Sequence, residues 1–206
     1  MTLQKPVPPV WFRLPPGFHD IGPSDGAALN AVAEALGSAD AQRELSQLID
    51  GLEELAGHGV VHTAIGLHPE ELGGISTSLF SLTVRPAEQP NPRLTVARAA
   101  LAIARSPHWT NPIRRFIDLS TGLPCCLVAG TISVPAVDHD LFQARVATVH
   151  PDGCHLLVLD LMSSSAQHAD AYTDIIEAVT HTVVFSDPAQ RFQTAAVASR
   201  IMEALL

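Results

Sequence analysis

Hydrophobic positions change their period along the chain, and each change marks an element. Val10 to Leu14 is a short apolar run between prolines, which predicts an opening strand on the rim of a sheet, where missing N–H groups do least harm. Helical spacing follows. Ser24 can cap a helix carrying Leu29, Val32 and Leu36 up to Gly37, and Ser38 or Asp40 opens another with Leu45, Leu48, Ile49, Leu52 and Leu55 on one stripe. Gly57 and Gly59 end it, so residues 24–57 read as a helical insertion. From Val60 the period is two: Val61, Thr63, Ile65 and Leu67 share one strand face, while His62, Ala64, Gly66 and His68 share the other. Residues 75–85 read as the antiparallel neighbour, with Phe80, Leu82 and Val84 on the apolar face. Asn91 as N-cap with Pro92 behind it opens a helix whose Leu94, Ala97, Leu101 and Ala104 recur at three- and four-residue steps.

The second half reads as four consecutive strands over residues 114–119, 125–134, 141–149 and 154–162. Between the last two, His150-Pro-Asp-Gly153 has the residue types of a type I turn, which predicts a hairpin. Tyr172, Ile175, Ile176 and Val179 then form the apolar stripe of a helix within residues 167–181, and Asp187-Pro188 starts a terminal helix over 188–206. Runs of strands with helices inserted, rather than strict strand-helix alternation, predict an α+β fold. The expected architecture is one domain over residues 1–206, an antiparallel β-sheet packed between helices.

Composition narrows the partners. Twelve basic against 21 acidic residues leave a net charge of −9, the wrong sign for unaided binding to nucleic acid. Hydrophobic residues make up 47% and charged residues 16%, so a core is easily filled and part of the surface must be bland or apolar. No run reaches the roughly 18 apolar residues of a membrane span, and the prolines of the first ten positions interrupt any signal-type stretch; a cytoplasmic protein is expected. Cys125, Cys126 and Cys154 are too few and too oddly placed for a disulfide framework, which fits a reducing compartment. A single lysine, Lys5, against 11 arginines, with abundant alanine, points to a GC-rich bacterial genome.

The candidate chemistry is sparse. His58 and His62 have the spacing of a zinc-binding helix, but they sit at a strand entrance, where positions four apart stand about 13 Å from each other. His62 and His68 share a face about 20 Å apart, so the ten histidines are expected to be dispersed, with neither metal nor cofactor bound. Asp138-His139-Asp140 is the densest acid/base group, a candidate for catalysis, against which stands the reading of a solvated turn. Cys154 and His155 point to opposite strand faces, Cys125 and Cys126 likewise, and the thiols read as packing. No Gly-x-Ser-x-Gly or phosphate-cradling loop occurs. Trp109, Arg114 and Arg115 combine the residue types that anchor interfaces, so the 107–115 segment is the candidate partner surface, and the terminal helix a candidate homodimer contact.

The opening Trp-Phe-Arg-Leu-Pro-Pro-Gly-Phe segment from Trp11, the strand pair, the helix near 92–105, the meander, and the closing Tyr172-Thr-Asp-Ile-Ile-Glu-Ala-Val179 helix before Val184-Phe185-Ser186 together resemble the PsbP-like fold over residues 10–187. That superfamily includes photosystem extrinsic subunits, a Ran-binding transport factor and small bacterial lipoproteins. The resemblance implies a sheet sandwiched by helices and used for protein contact; it transfers no functional residue. The chain departs from the pattern in its 24–57 helical insertion and in lacking a lipoprotein signal with an acylated cysteine. The resemblance implies binding over catalysis, and with the cytoplasmic expectation above the reading is a noncatalytic cytoplasmic interaction domain of unknown partner. The alternative is a small-molecule enzyme or ligand-binding protein using a pocket between sheet and helices.

Overall fold

A computed structural model describes residues 7–27, 50–69, 75–134 and 139–187. Their elements, in chain order, are β1 (Phe18–Asp20), α1 (50–57), β2 (Val60–Pro69), β3 (Ile75–Pro86), α2 (Pro92–Ala104), β4 (Trp109–Phe116), β5 (Cys125–Ile132), β6 (Leu141–Val149), β7 (His155–Ser163) and α3 (Ala169–His181). The strands form one open sheet in the order β1-β2-β3-β7-β6-β5-β4, and every neighbouring pair is antiparallel. The expected α+β class is therefore what the chain adopts. Most of the expected 24–57 helical insertion and the whole of the expected 188–206 helix lie outside the described residues; of the insertion, residues 24–27 and 50–57 are described, the latter as α1 with Leu52 buried.

Strand alternation divides the sheet into two faces. On one, Phe80, Leu82, Leu127, Val146, Leu157, Leu159 and Leu161 meet Tyr172, Ile176 and Val179 of α3, making the larger core. On the other, Cys126, Val128, Ala147 and Val149 meet Val96 and Ala100 of α2. Each fully buried aliphatic side chain contributes about 1.5–3 kcal/mol by leaving water, so the α3 face holds most of the stabilisation. β6 is the strand enclosed on both faces, with only Arg145 half-buried along its length, whereas β7 alternates strictly between buried and half-buried.

Several local expectations shift. Residues 10–14 form no strand; instead Trp11 makes a single isolated bridge with Val184, N–H to C=O in both directions at 2.9 and 2.8 Å. Arg13 N–H adds a bond to Thr182 Oγ1 at 2.8 Å, so the two ends of the described chain lie together. The first real strand is β1, which pairs Phe18 with Gly66. In β2 the inward face is the one with His62, Ala64, Gly66 and His68; Ala64 is fully buried, and Val61 and Leu67 are exposed. α2 begins as expected, with Asn91 Oδ1 accepting from Arg93 N–H at 3.0 Å and Leu94 N–H at 3.3 Å. Its buried face is Thr95, Val96 and Ala100, and Leu94 is exposed, because in so alanine-rich a helix the stripe is decided by which small residues fit against β5 and β6.

Candidate functional site

The β6–β7 hairpin gathers the densest group of ligating side chains among the described residues. Gly153, at φ +68°, is in the left-handed region that glycine tolerates, and its N–H bonds His150 C=O at 2.9 Å to close the turn. His150 N–H reaches His155 C=O at 2.9 Å, so His150, just past the end of β6, stands opposite His155 at the start of β7. Asp152 lies between them. Its carboxylate accepts Cys154 N–H at 2.7 Å and lies 2.7 Å from His155 Nδ1, which must therefore donate, since an ionised carboxylate has no proton to give. His150 Nδ1 is 3.2 Å from the Asp152 carboxylate and 3.2 Å from its N–H, while the ring packs edge-on against Phe185 with centroids 4.9 Å apart. Partial burial works to raise the Asp152 pKa, but the Cys154 N–H and the imidazoles of His155 and His150 outweigh it and bring it down to about 2. The histidines are expected to be dispersed; here two of them and a carboxylate meet. The missed signal was their position on either side of a four-residue turn, which makes two residues cross-strand partners.

The candidate partner segment falls on β4, the last strand of the sheet order. Trp109 is half-buried against the α2 core, and Arg115 donates two hydrogen bonds to Glu177 of α3, one of them at 3.0 Å. Arg114 is exposed, and beside it Ile113 and Phe116 are 58% and 73% exposed. The register slips between Thr110 and Ile113, where Asn111 takes φ +47° and Pro112 removes a donor. Beyond that bulge Ile117 N–H bonds Cys125 C=O at 3.0 Å, so by alternation Ile113 and Arg115 face β5 and the backbone groups of Arg114 and Phe116 face outward.

Two of the three catalytic candidates are among the described residues. Asp140 accepts from Ser133 Oγ at 2.6 Å, His139 is exposed, and Asp138 lies outside the described residues. Burial pushes the Cys125 thiol up to about 12, with Cys126 and Glu177 adding to it, and burial also raises Cys126, so neither supplies a thiolate near neutral pH. A cleft of about 420 Å³ between α2 and the sheet is lined by Thr83, Arg85, Arg98, Arg145 and Asp160 among others. Its floor is a cross-strand pair: Arg145 Nε donates to Asp160 at 2.5 Å, and Gln143 Nε2 reaches both carboxylate oxygens at 2.9 Å. Burial raises the Asp160 pKa, opposed by Arg145 and Gln143. Of the three arginines on this cleft, Arg145 is paired with Asp160 and Arg98 lies 3.8 Å from Glu88, while Arg85 reaches the His58 carbonyl at 3.4 Å.

The fold thus defines an α+β protein with an open seven-stranded antiparallel sheet and helices on both faces. No family model matches the chain, and no curated protein matches it in sequence. Among solved structures it is similar to LpqN, a protein involved in cell envelope biogenesis of Mycobacterium tuberculosis, with a TM-score of 0.53 and 12% identity over 89% of this chain and 87% of that one. A second structure, the putative regulator PA94 from Pseudomonas aeruginosa, a protein of unknown function, superposes with a TM-score of 0.41 and 15% identity over 60% of this chain and 83% of that one, too loosely to define a shared fold. No helix of the described residues is long and apolar enough to cross a membrane.

Proposed function

We propose that the chain is a noncatalytic accessory protein that holds an extended segment of a protein partner along the outer edge of β4. The observation that carries this reading is that edge: outward backbone groups at Arg114 and Phe116, flanked by the exposed side chains of Ile113 and Phe116. A partner strand added there gains backbone hydrogen bonds for affinity and side-chain contacts on alternate positions for specificity. Arg114 fits a segment carrying an acidic residue. It also disfavours a second copy, because antiparallel self-pairing about this position sets like charges opposite each other. The PsbP-like resemblance, in which such sheets serve protein contact, supports the same reading. We place the protein in the cytoplasm, supported by three cysteines that form no disulfide; cell fractionation decides between that and association with the envelope.

The test compares capture of partners from the source cell by the wild-type chain and by Arg114→Pro, which removes an outward N–H without touching the bonds to β5. The reading expects a partner held by the wild type and lost by the variant, with slowed amide exchange at Arg114 and Phe116 in the complex. Equal capture by both chains refutes it. A ligand-binding role is the second reading, favoured by the α2 cleft, which Arg85 lines. It expects a small carboxylate or phosphate compound to raise the melting temperature of the wild type and not of Arg85→Ala.

A further inference from the structure

The His150, Asp152 and His155 cluster has no part in the partner edge. We propose that the β6–β7 hairpin is a binding site for one divalent first-row transition ion, held by His150 Nδ1, the Asp152 carboxylate and His155 Nδ1. The donor set is the first argument. Two imidazoles and a carboxylate suit zinc, cobalt or iron rather than calcium or magnesium, which take oxygen donors throughout.

Spacing is the second. Donors about 2.1 Å from one ion stand about 3.0–3.4 Å from each other in tetrahedral or octahedral sites. His150 Nδ1 lies 3.2 Å from Asp152 Oδ1 and His155 Nδ1 lies 2.7 Å from Asp152 Oδ2, and one donor atom from each of the three residues lies within 4.8 Å of the others. Small movements of side chains already facing each other complete the set. Preorganisation is the third argument: the turn hydrogen bonds fix both histidines, the Cys154 N–H holds the carboxylate, and Phe185 backs the His150 ring. Chain entropy lost on binding is therefore small.

The proton balance is simple. His155 Nδ1 carries the proton that faces Asp152; when the ion binds there that proton leaves Nδ1 and the neutral ring carries its proton on Nε2 instead, so a neutral imidazole ligates with no net proton released. His150 Nδ1 exchanges a 3.2 Å contact with the Asp152 N–H for the ion. Asp152 is partly exposed, so water, or a donor from a bound partner, can take the remaining positions.

Co²⁺ titrated into the full chain near neutral pH is the direct probe, because its visible bands report nitrogen and oxygen coordination. The proposal expects one equivalent bound, displacement by Zn²⁺, and the first shifted ring resonances on Zn²⁺ addition to be those of His150 and His155. Asp152→Asn keeps an oxygen for the Cys154 N–H, and His150→Gln keeps a polar side chain, so both should fold, which circular dichroism checks. Each should bind at least about tenfold more weakly. Even if a variant unfolds, the wild-type resonances decide the matter: first shifts at His58, His139, His168 or His181 mean adventitious binding and overturn the proposal. Failure to bind one equivalent, or equal affinity in both variants, also overturns it and leaves the cluster as a hydrogen-bonded staple of the turn.

Discussion

Ile176→Ala tests the docking of α3. Ile176 is fully buried, with Tyr172 and Val179 beside it on the helix and the side chains of β5, β6 and β7 opposite. The substitution removes three carbon atoms, about 2.4 kcal/mol of transfer free energy at about 0.8 kcal/mol each. A cavity term adds to this, because the opposing wall is a hydrogen-bonded sheet that cannot collapse onto the helix. The total comes to about 3–4 kcal/mol. In a chain of this size that lowers the melting temperature by about 6–16 °C. Urea denaturation followed by circular dichroism and by tryptophan fluorescence measures it, with Ile175→Ala as the comparison: that neighbour is half-buried and should cost about 1 kcal/mol. An unchanged midpoint for Ile176→Ala, or a larger loss for Ile175→Ala, would show that the helix does not pack as described.

Other substitutions probe separate points. Gly66→Ala places a methyl group inside contact distance of Ser78 Oγ, 2.8 Å from His68 Nε2 and 2.9 Å from Phe18, and should destabilise by about 1–3 kcal/mol in chemical denaturation; no loss would mean that β1 does not close over β2 there. Gly51→Ala, on α1 with nothing within 4 Å, should stabilise by about 0.5–1 kcal/mol, and a loss would place that position in a crowded environment. His139→Ala should change the midpoint by less than about 0.5 kcal/mol, since the side chain is exposed; a larger change would give it a structural role. Asp152, held at about 2 when folded against an ordinary 3.8, contributes stability that is present above about pH 4 and lost as the pH falls through about 2. Denaturation midpoints measured from pH 5 down to 2 should therefore fall more steeply for the wild type than for Asp152→Asn, and parallel curves would contradict the hydrogen bonding of the turn.

The architecture was legible wherever local pattern and tertiary demand agree. The period of two in residues 60–69 and 75–86, the Asn91 cap and the His150-Pro-Asp-Gly153 turn depend on neighbours in sequence, and the structure keeps all of them. What failed depends on distant residues. Which face of β2 turns inward was left open by the period of two and is settled by Phe80 and α3, so a face carrying two histidines is covered while Val61 and Leu67 are exposed. The early start of β4 at Trp109 rests on a bulge with Asn111 at positive φ, which no hydrophobic period announces. At the site level, the arginines of the 107–115 segment were visible as residue types, but only the sheet order shows that Arg114 lies on an open edge while Arg115 is taken up by Glu177. His150 and His155 are legible in principle, since a hairpin closed by the His150-Pro-Asp-Gly153 turn makes them cross-strand partners.

The bridge between Trp11 and Val184 bears on how the chain is made. Bonds there join segments 169 residues apart in sequence, as the Arg13 and Thr182 contact shows, so the opening segment has no seat until nearly all of the described chain has been synthesised. During translation Phe12 and Leu14 wait uncovered beside a sheet that is still missing its centre, because β3 pairs with β7 and not with β4. Closure comes late and over a long loop, which slows folding and lengthens the interval in which a nascent polypeptide can aggregate or recruit a chaperone.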